Sequence, residues 1–224
     1  NTTGGANVAV GADALKLNTT GDYNTAVGKG ALDANTTANS NTAVGLSTLG
    51  ANTTGANNTG VGESALGSNT TAANNTAVGR EALTANTTGT RNTAVGMSTG
   101  AAITTGSYNV LMGAYTGDAI TTGEQNTAVG DAALTSCIAG TDNVAIGDQA
   151  GKTNQYRYAV AIGAEAGLTD QSSNAIALGY QAGQTRQEPN SIAIGALAGL
   201  TDQSGNSIAI GYDAGSGTQG GDSI

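Results

Sequence analysis

Apolar and polar residues return along this chain at a fixed phase. The phrase Asn24-Thr25-Ala26-Val27-Gly28 recurs at Asn41 to Gly45, Asn75 to Gly79, Asn92 to Gly96 and Asn126 to Gly130. Variants stand at Asn7 to Gly11, Asn58 to Gly62, Asn109 to Gly113 and Asn143 to Gly147. Later copies read Asn190-Ser191-Ile192-Ala193-Ile194-Gly195 and Asn206-Ser207-Ile208-Ala209-Ile210-Gly211. The closing glycines are Gly11, Gly28, Gly45, Gly62, Gly79, Gly96, Gly113, Gly130, Gly147, Gly163, Gly179, Gly195 and Gly211. Eight steps between them are 17 residues long and the last four are 16. Self-similarity at a short fixed period is the mark of a solenoid. A disordered Gly/Thr/Asn linker would not hold register this well.

Each closing glycine is taken as position zero. Position −1 is then Val, Ile, Leu or Met in all 13 copies, and −3 is Val, Ile or Thr in all 13. Position −2 is Ala in 11, with Gly60 and Leu111 as the exceptions. Period 2 with β-branched residues predicts a strand, and the recurrent Gly and the Asn/Thr content exclude a helix. Position +3 is Ala or Thr throughout, and +4 is usually Leu in the longer coils (Leu15, Leu32, Leu49, Leu66, Leu83, Leu134), followed by Asn-Thr-Thr as at Asn18-Thr19-Thr20. Where +4 is Gly, an apolar residue stands nearby: Gly100 with Ile103, Gly117 with Ile120, Gly167 with Leu168, Gly199 with Leu200. Dense packing then implies one interior volume per coil, filled from alternative positions. This stretch reads as a second short strand or extended edge.

The expected fold is all-β: a parallel β-solenoid, or β-roll, of about 13 coils of 17 and then 16 residues, each with two strands and two turns. At about 4.8 Å per coil that is a rod roughly 60 Å long. Residues 1-146 carry the 17-residue coils, 147-215 the 16-residue coils, and 216-224 a Gly-rich tail. The faithful Asn positions predict a ladder of side chains bonding from coil to coil. A mere turn-forming role is the alternative. The strand is apolar on both faces, and such strands are usually buried on both sides. Positions −1 and −3 are expected to fill the coil, and the small Ala at −2 to let further copies approach around an axis. A monomeric solenoid with a flat Ala/Thr face in water is the alternative.

Composition narrows the chemistry. The 224 residues include 36 Gly, 34 Thr and 22 Asn, one Pro and one Cys, and neither His, Trp nor Phe. Absence of His removes the commonest general base and metal ligand, and one Cys excludes a disulfide framework or a multi-Cys zinc site. Sixteen acids against seven bases give a net charge of −9. Residues 1–112 hold 5 acids and 4 bases, and residues 113–224 hold 11 and 3. Nucleic acid is a poor partner for such a surface. No apolar run approaches the roughly 18 residues of a membrane-spanning helix. The chain opens at Asn1 without Met or a signal peptide, as expected of a piece processed or excised from something longer.

The copies at Asn190 to Gly195 and Asn206 to Gly211, each with an Ala three residues on (Ala198, Ala214), resemble the head repeat of YadA-type trimeric autotransporter adhesins. The likeness is best over residues 143–215. The earlier Asn-Thr-Ala-Val-Gly and Asn-Thr-Thr-Gly copies resemble a longer variant found in tail-fibre and surface-fibre proteins of bacteria and viruses. The resemblance implies a left-handed roll, a homotrimer, and binding of a cell-surface receptor, matrix protein or glycan. It implies an extracellular place, on a cell surface or a virion or phage tail fibre. The coils here are longer than the family's usual ones, by the residues at the Asn-Thr-Thr edge.

Candidate sites are few. Asp170 and Asp202 share the phrase Leu-Thr-Asp-Gln-Ser, but one carboxylate per coil is no acid/base pair. The Gly-Gly-x-Gly-x-Asp calcium repeat is absent. Neither enzyme activity nor a cofactor or metal is expected. Cys137 reads as buried filler, with a reactive thiol or interchain disulfide as alternatives. Asn1, Asn18, Asn35, Asn52, Asn69 and Asn86 each open an N-glycosylation sequon, as do Asn57 and Asn74. A column of glycans competes here with turn chemistry and a Thr ladder. Tyr115, Tyr156, Arg157, Tyr158, Tyr180, Arg186 and Tyr212 occupy variable positions that should point outward, and are candidate ligand contacts. The function expected is a non-enzymatic rigid segment of an adhesive or receptor-binding fibre, acting by many contacts along its outer turns. A purely structural shaft or filament subunit is one alternative. An ice-binding solenoid is another, through Thr25, Thr42, Thr59, Thr76 and Thr93, if that face lies outside.

Overall fold

The computed structural model describes residues 2–223, and two compact units divide it, Asn1–Asn109 and Val110–Ile224. Each unit is a parallel β-solenoid, and no helix occurs among the described residues.

In the first unit each coil contributes one three-residue strand: β1 (Val8–Val10), β2 (Thr25–Val27), β3 (Thr42–Val44), β4 (Thr59–Val61), β5 (Thr76–Val78) and β6 (Thr93–Val95). They pair parallel, with like residues opposite: Ala26 faces Ala43 and Val78 faces Val95. The expected second strand is absent from the described residues of these coils. Its place is taken by a tighter path, in which the successive amides of Thr19 and Thr20 both donate to the Thr36 carbonyl, at 2.8 and 3.2 Å. Left-handed residues turn the coil at its corners, among them the buried Leu15, Leu32, Leu49, Leu66 and Leu83, with φ between 50° and 52°. An unbranched Cβ is tolerated there, whereas a β-branched one would be strained.

The second unit begins the same way with β7 (Val110–Met112), β8 (Thr127–Val129) and β9 (Val144–Ile146). Of the four 16-residue coils the last three carry two strands each, and the first has one strand and an isolated bridge at Thr153. One series is β10 (Val160–Ile162), β12 (Ile176–Leu178), β14 (Ile192–Ile194) and β16 (Ile208–Ile210). The other is β11 (Thr169–Gln171), β13 (Thr185–Gln187) and β15 (Thr201–Gln203), a separate three-stranded parallel sheet.

Burial corrects the expected facing of the strand. The −2 residues Ala26, Ala43, Ala77, Ala94, Ala128, Ala145, Ala161, Ala177 and Ala193 are wholly inside their coils, and the −1 and −3 residues lie half-buried or exposed on the outside. Volume decides it. A coil this thin, already holding Leu at +4 and Asn at +7, has room for a methyl group and no more. In one coil it lacks even that: a Cβ on Gly60 would lie 2.6 Å from Cγ2 of Thr48, which stands where most coils have Ala. The other exception complements this one, because buried Leu111 fills space left by Gly117, whose Cβ would lie 3.1 Å from Leu111 Cδ1.

The rule of one filled volume per coil holds, with one amendment. Ile103 and Ile120 are fully buried beside Gly100 and Gly117. Leu168 and Leu200 are only half-buried. In the 16-residue coils the filler is instead Gln171, Gln187 and Gln203, all at 0% exposure, and Oε1 of each lies against Gly167, Gly183 or Gly199.

Where a further coil stacks on them, the closing glycines are required by contact; Gly211, whose nearest atom is 3.8 Å away, is not. A Cβ on Gly28 would sit 2.3 Å from the Gly45 carbonyl oxygen, and φ there is +139°. No L side chain fits a neighbour that close in that conformation.

Candidate functional site

The polar interior is built from amide ladders. Asn35, Asn52, Asn69 and Asn86 each donate Nδ2 to Oδ1 of the Asn 17 residues earlier, at 2.8 to 3.2 Å. Each also donates to a carbonyl three residues on. A second column, at Asn24, Asn41, Asn58, Asn75 and Asn92, accepts the backbone N–H of the Asn one coil later. A third ladder of Gln155, Gln171, Gln187, Gln203 and Gln219 runs the other way, each Nε2 donating forward to the next Oε1. Buried amides satisfied in this manner specify register, because any slip leaves them unpaired.

These ladders correct the glycan column. Asn18, Asn35, Asn52, Asn69 and Asn86 are buried, with their amide nitrogens turned inward to carbonyl partners. No nitrogen is left at the surface of the folded coil to carry a sugar. Asn1 lies outside the described residues. Asn57 and Asn74 are exposed. The Thr ladder is present too, with Oγ1 of Thr19, Thr36, Thr53, Thr70 and Thr87 donating to the carbonyl of the next coil's Thr.

Two ladder ends are open. Asn86 Oδ1, in the first unit, and Gln155 Oε1, in the second, are buried without a partner, as is Asn143 Nδ2. Gln155 opens its ladder because Cys137 stands in the polar column of the coil before it. That thiol is buried and donates to the Gln155 carbonyl at 3.0 Å. Burial pushes its pKa up, against weaker opposing bonds from the backbone at Gly140 and Gln155. It is inert filler, and its depth excludes an interchain disulfide in the folded chain.

All five candidate tyrosines are exposed. The structure brings Tyr156, Arg157 and Tyr158 together and leaves the rest apart. Tyr115 stands at a left-handed corner. Tyr180 and Tyr212 share the +1 column, with Ala196 in the coil between them. Arg186 is paired with Asp202 at 2.9 Å. Arg157 is placed differently: its Nε donates to Thr141 Oγ1 at 3.0 Å, its Nη2 to the Tyr158 hydroxyl at 3.3 Å, and its guanidinium lies 5.1 Å from the Tyr158 ring centre. Beside it is a cavity of about 230 Å3 walled by Cys137, Ile138, Ala139 and Gly140 on one coil and Asn154 to Arg157 on the next.

A similar pair, which the sequence reading does not single out, lies in the first unit. Arg91 lies over the Tyr108 ring at 5.2 Å and bonds its hydroxyl. Both residues stand at position −5, and a large residue at that corner was the available signal. Among the described residues no group of three or more acids or thiols is placed to hold a metal ion, and no helix is long and apolar enough to cross a membrane. No protein-family model matches the sequence, and a search of curated proteins returns no match.

Proposed function

We propose that the chain is a rigid segment of an extracellular adhesive or receptor-binding fibre, assembled as a homotrimer and acting through many contacts along its outer turns. The observation that carries this is the outward face of the main strand. Positions −1 and −3 form aligned columns that lie half-buried or exposed on the outside of the coils. In the second unit they are almost entirely aliphatic, and Val110, Met112, Ile146, Ile162 and Ile210 are 38 to 65% exposed. At two half-exposed side chains per coil, the face of either unit is on the order of 700 Å2, near the 800 Å2 per partner of a standard interface. A patch of that size on a soluble monomer marks a contact surface. It repeats with every coil, and a partner matching all coils needs the same axial repeat. Another copy of this chain has it.

In this reading the partner covers the Val/Ile face rather than the Ala face, and the corners remain for ligands. Weak contacts repeated along a stiff support add through effective concentration. The resemblance to adhesin heads supports the assignment, and so does the wet, turn-rich outer surface.

Light scattering on the purified chain tests the assembly. The monomer is 21.6 kDa. A threefold mass is expected, and Ile162→Asp together with Ile194→Asp should reduce it to one. A monomer at every concentration overturns the trimer. It would favour the second reading, which one observation supports. Thr25, Thr42, Thr59, Thr76 and Thr93 lie half-exposed on that outward face, with a Val beside each, a regular array of the kind an ice surface would meet. Thermal hysteresis then decides.

A further inference from the structure

The notch beside Arg157 lies where the stacking of coils is interrupted. Ser136 donates to the Lys152 carbonyl and bridges Thr153, and five residues later Tyr158 donates to the Thr141 carbonyl. Between these points no backbone hydrogen bond joins the two coils among the described residues, and the Cys137 thiol bond to the Gln155 carbonyl ties them instead. In the coils before it a Thr-Thr pair spans this edge, and its first amide donates to the following coil, as Thr87 does to Thr104 and Thr121 does to Ile138. Ile138 and Ala139 replace that pair and make no such bond to the coil after them. The opening is apolar on one wall, with Ile138 63% exposed, and aromatic on the other, with Tyr156 55% exposed. Water gains little from either.

Two of the unit's three cations, Lys152 and Arg157, form no ion pair among the described residues, and Lys152 is engaged by Gln149 Oε1 at 2.8 Å. Arg186 is neutralised by Asp202, whereas Arg157 has no carboxylate within ion-pair distance among the described residues. Thr141 and Tyr158 hold the fork through its Nε and Nη2, and Nη1 makes no hydrogen bond among the described residues. A fixed guanidinium matches a carboxylate through two parallel hydrogen bonds and loses little entropy in doing so. The cavity is too small for a drug-sized ligand and suits a single six-membered ring.

We propose that this notch binds a six-membered ring carrying a carboxylate, the unit that an acidic glycan presents. The ring lies between Ile138, Ala139 and Tyr156, and its carboxylate meets Arg157. Oδ1 of Asn154, whose Nδ2 is held by Asp170 Oδ1 at 2.8 Å, and the hydroxyls of Thr141 and Tyr158 beside Arg157 serve as partners for ring hydroxyls. This deepens the adhesive half of the proposed function and is independent of the trimer. The second unit is acidic, with 11 acids and 3 bases, so its general field repels the ligand. Affinity therefore rests on contact at short range and is modest for one site.

The test is calorimetry and saturation-transfer NMR with glucuronate, glucose and benzoate on the whole chain. Glucuronate is expected to bind with a dissociation constant on the order of 1 mM, as suits a ligand of this size. Glucose should bind at least tenfold more weakly, and Arg157→Gln should weaken glucuronate tenfold. Arg157 is on the surface, and circular dichroism checks that the variant folds. Ala139→Leu, which fills the notch from the opposite wall, should abolish binding with Arg157 intact. Equal binding of glucose and glucuronate overturns the proposal, as does indifference to either variant or no binding of glucuronate at 20-fold the expected constant. Benzoate binding in preference to glucuronate overturns the glycan assignment. The mass measured on the same sample separates the two ideas: a monomer that binds keeps the site and loses the assembly, and a trimer that does not bind does the reverse.

Discussion

Gly100 and Ile103 allow the interior-volume rule to be tested quantitatively. Gly100 has φ +59° and sits at the left-handed corner that Leu66 and Leu83 occupy in the preceding coils. Ile103 fills the space those leucines fill, and it stands in the column of Asn69 and Asn86. Gly100→Leu alone overpacks the coil. At the sister position Gly117, a Cβ would already lie 2.8 Å from Ile120 Cδ1. Overpacking costs about 1–3 kcal/mol, and a left-handed non-Gly residue about 1 kcal/mol more. Ile103→Asn alone removes a buried side chain, about 2–4 kcal/mol. It returns about 1 kcal/mol for each of two hydrogen bonds. One is to Asn86 Oδ1, buried and unpartnered in the native chain. The other is to the Gly106 carbonyl, which already accepts from Asn92. The double variant is a Leu/Asn coil like its neighbours and lengthens the ladder by one rung. It should fall within about 1 kcal/mol of the native chain, whereas the single costs sum to about 2–6 kcal/mol, a coupling of about 4 kcal/mol. Urea unfolding followed by circular dichroism, at one fixed protein concentration, measures all four corners of the cycle. Additivity within about 0.5 kcal/mol would refute the rule.

Gly62→Ala should lower stability by about 3 kcal/mol or more, since its Cβ would lie 2.5 Å from the Gly79 carbonyl oxygen at φ +131°. Gly211→Ala is the control, because φ is +124° but the nearest atom is Ala214 Cβ at 3.8 Å, so thermal melts should rank it well below Gly62→Ala in damage. Burial raises the Asp118 carboxyl above its ordinary 3.8, and the amides of Ala119 and Asp118 pull the other way. A raised carboxylate pKa stabilises the fold below the unfolded value, and that contribution is lost as pH rises through the folded one. Asp118→Asn should therefore raise the melting midpoint at pH 7, with the gain gone below about pH 4. The Cys137 thiol, buried and bonded to the Gln155 carbonyl, should resist a disulfide reagent for hours in the folded chain and react fully in denaturant.

The period, the strand and the closing glycine were legible because each repeats a constraint that only one residue type meets. Facing was not. With Ala on one side and Val or Thr on the other, both sides of the strand are apolar, and alternation alone does not say which is inside. The answer lay in volume: Leu66 and Asn69 already fill a coil, and Gly60 opposite Thr48 shows how little room remains. The second strand was expected in every coil and occurs only after Lys152, where the residues Thr169, Thr185 and Thr201 extend without a double Thr turn. The Gln ladder had a signal that went unread, a Gln every 16 residues from Gln155 to Gln219. It was hidden because a buried amide column is normally sought among Asn or Ser in tight turns. The grouping of Tyr156, Arg157 and Tyr158 followed from adjacency, but the cavity beside them came from a missing backbone rung that no residue count reveals.

Each coil of the first unit docks on the next through like residues in like register. Removing or adding 17 residues between Gly28 and Gly79, with Thr48 and Gly60 kept or lost together, therefore rejoins surfaces that already fit. An insertion of any other length would turn the Ala column outward or strand the Asn amides. Unequal exchange between the gene segments that encode these repeated coils would thus yield longer and shorter chains that still fold. Length becomes a trait that a lineage can adjust in whole steps, without first having to tolerate a misfolded intermediate.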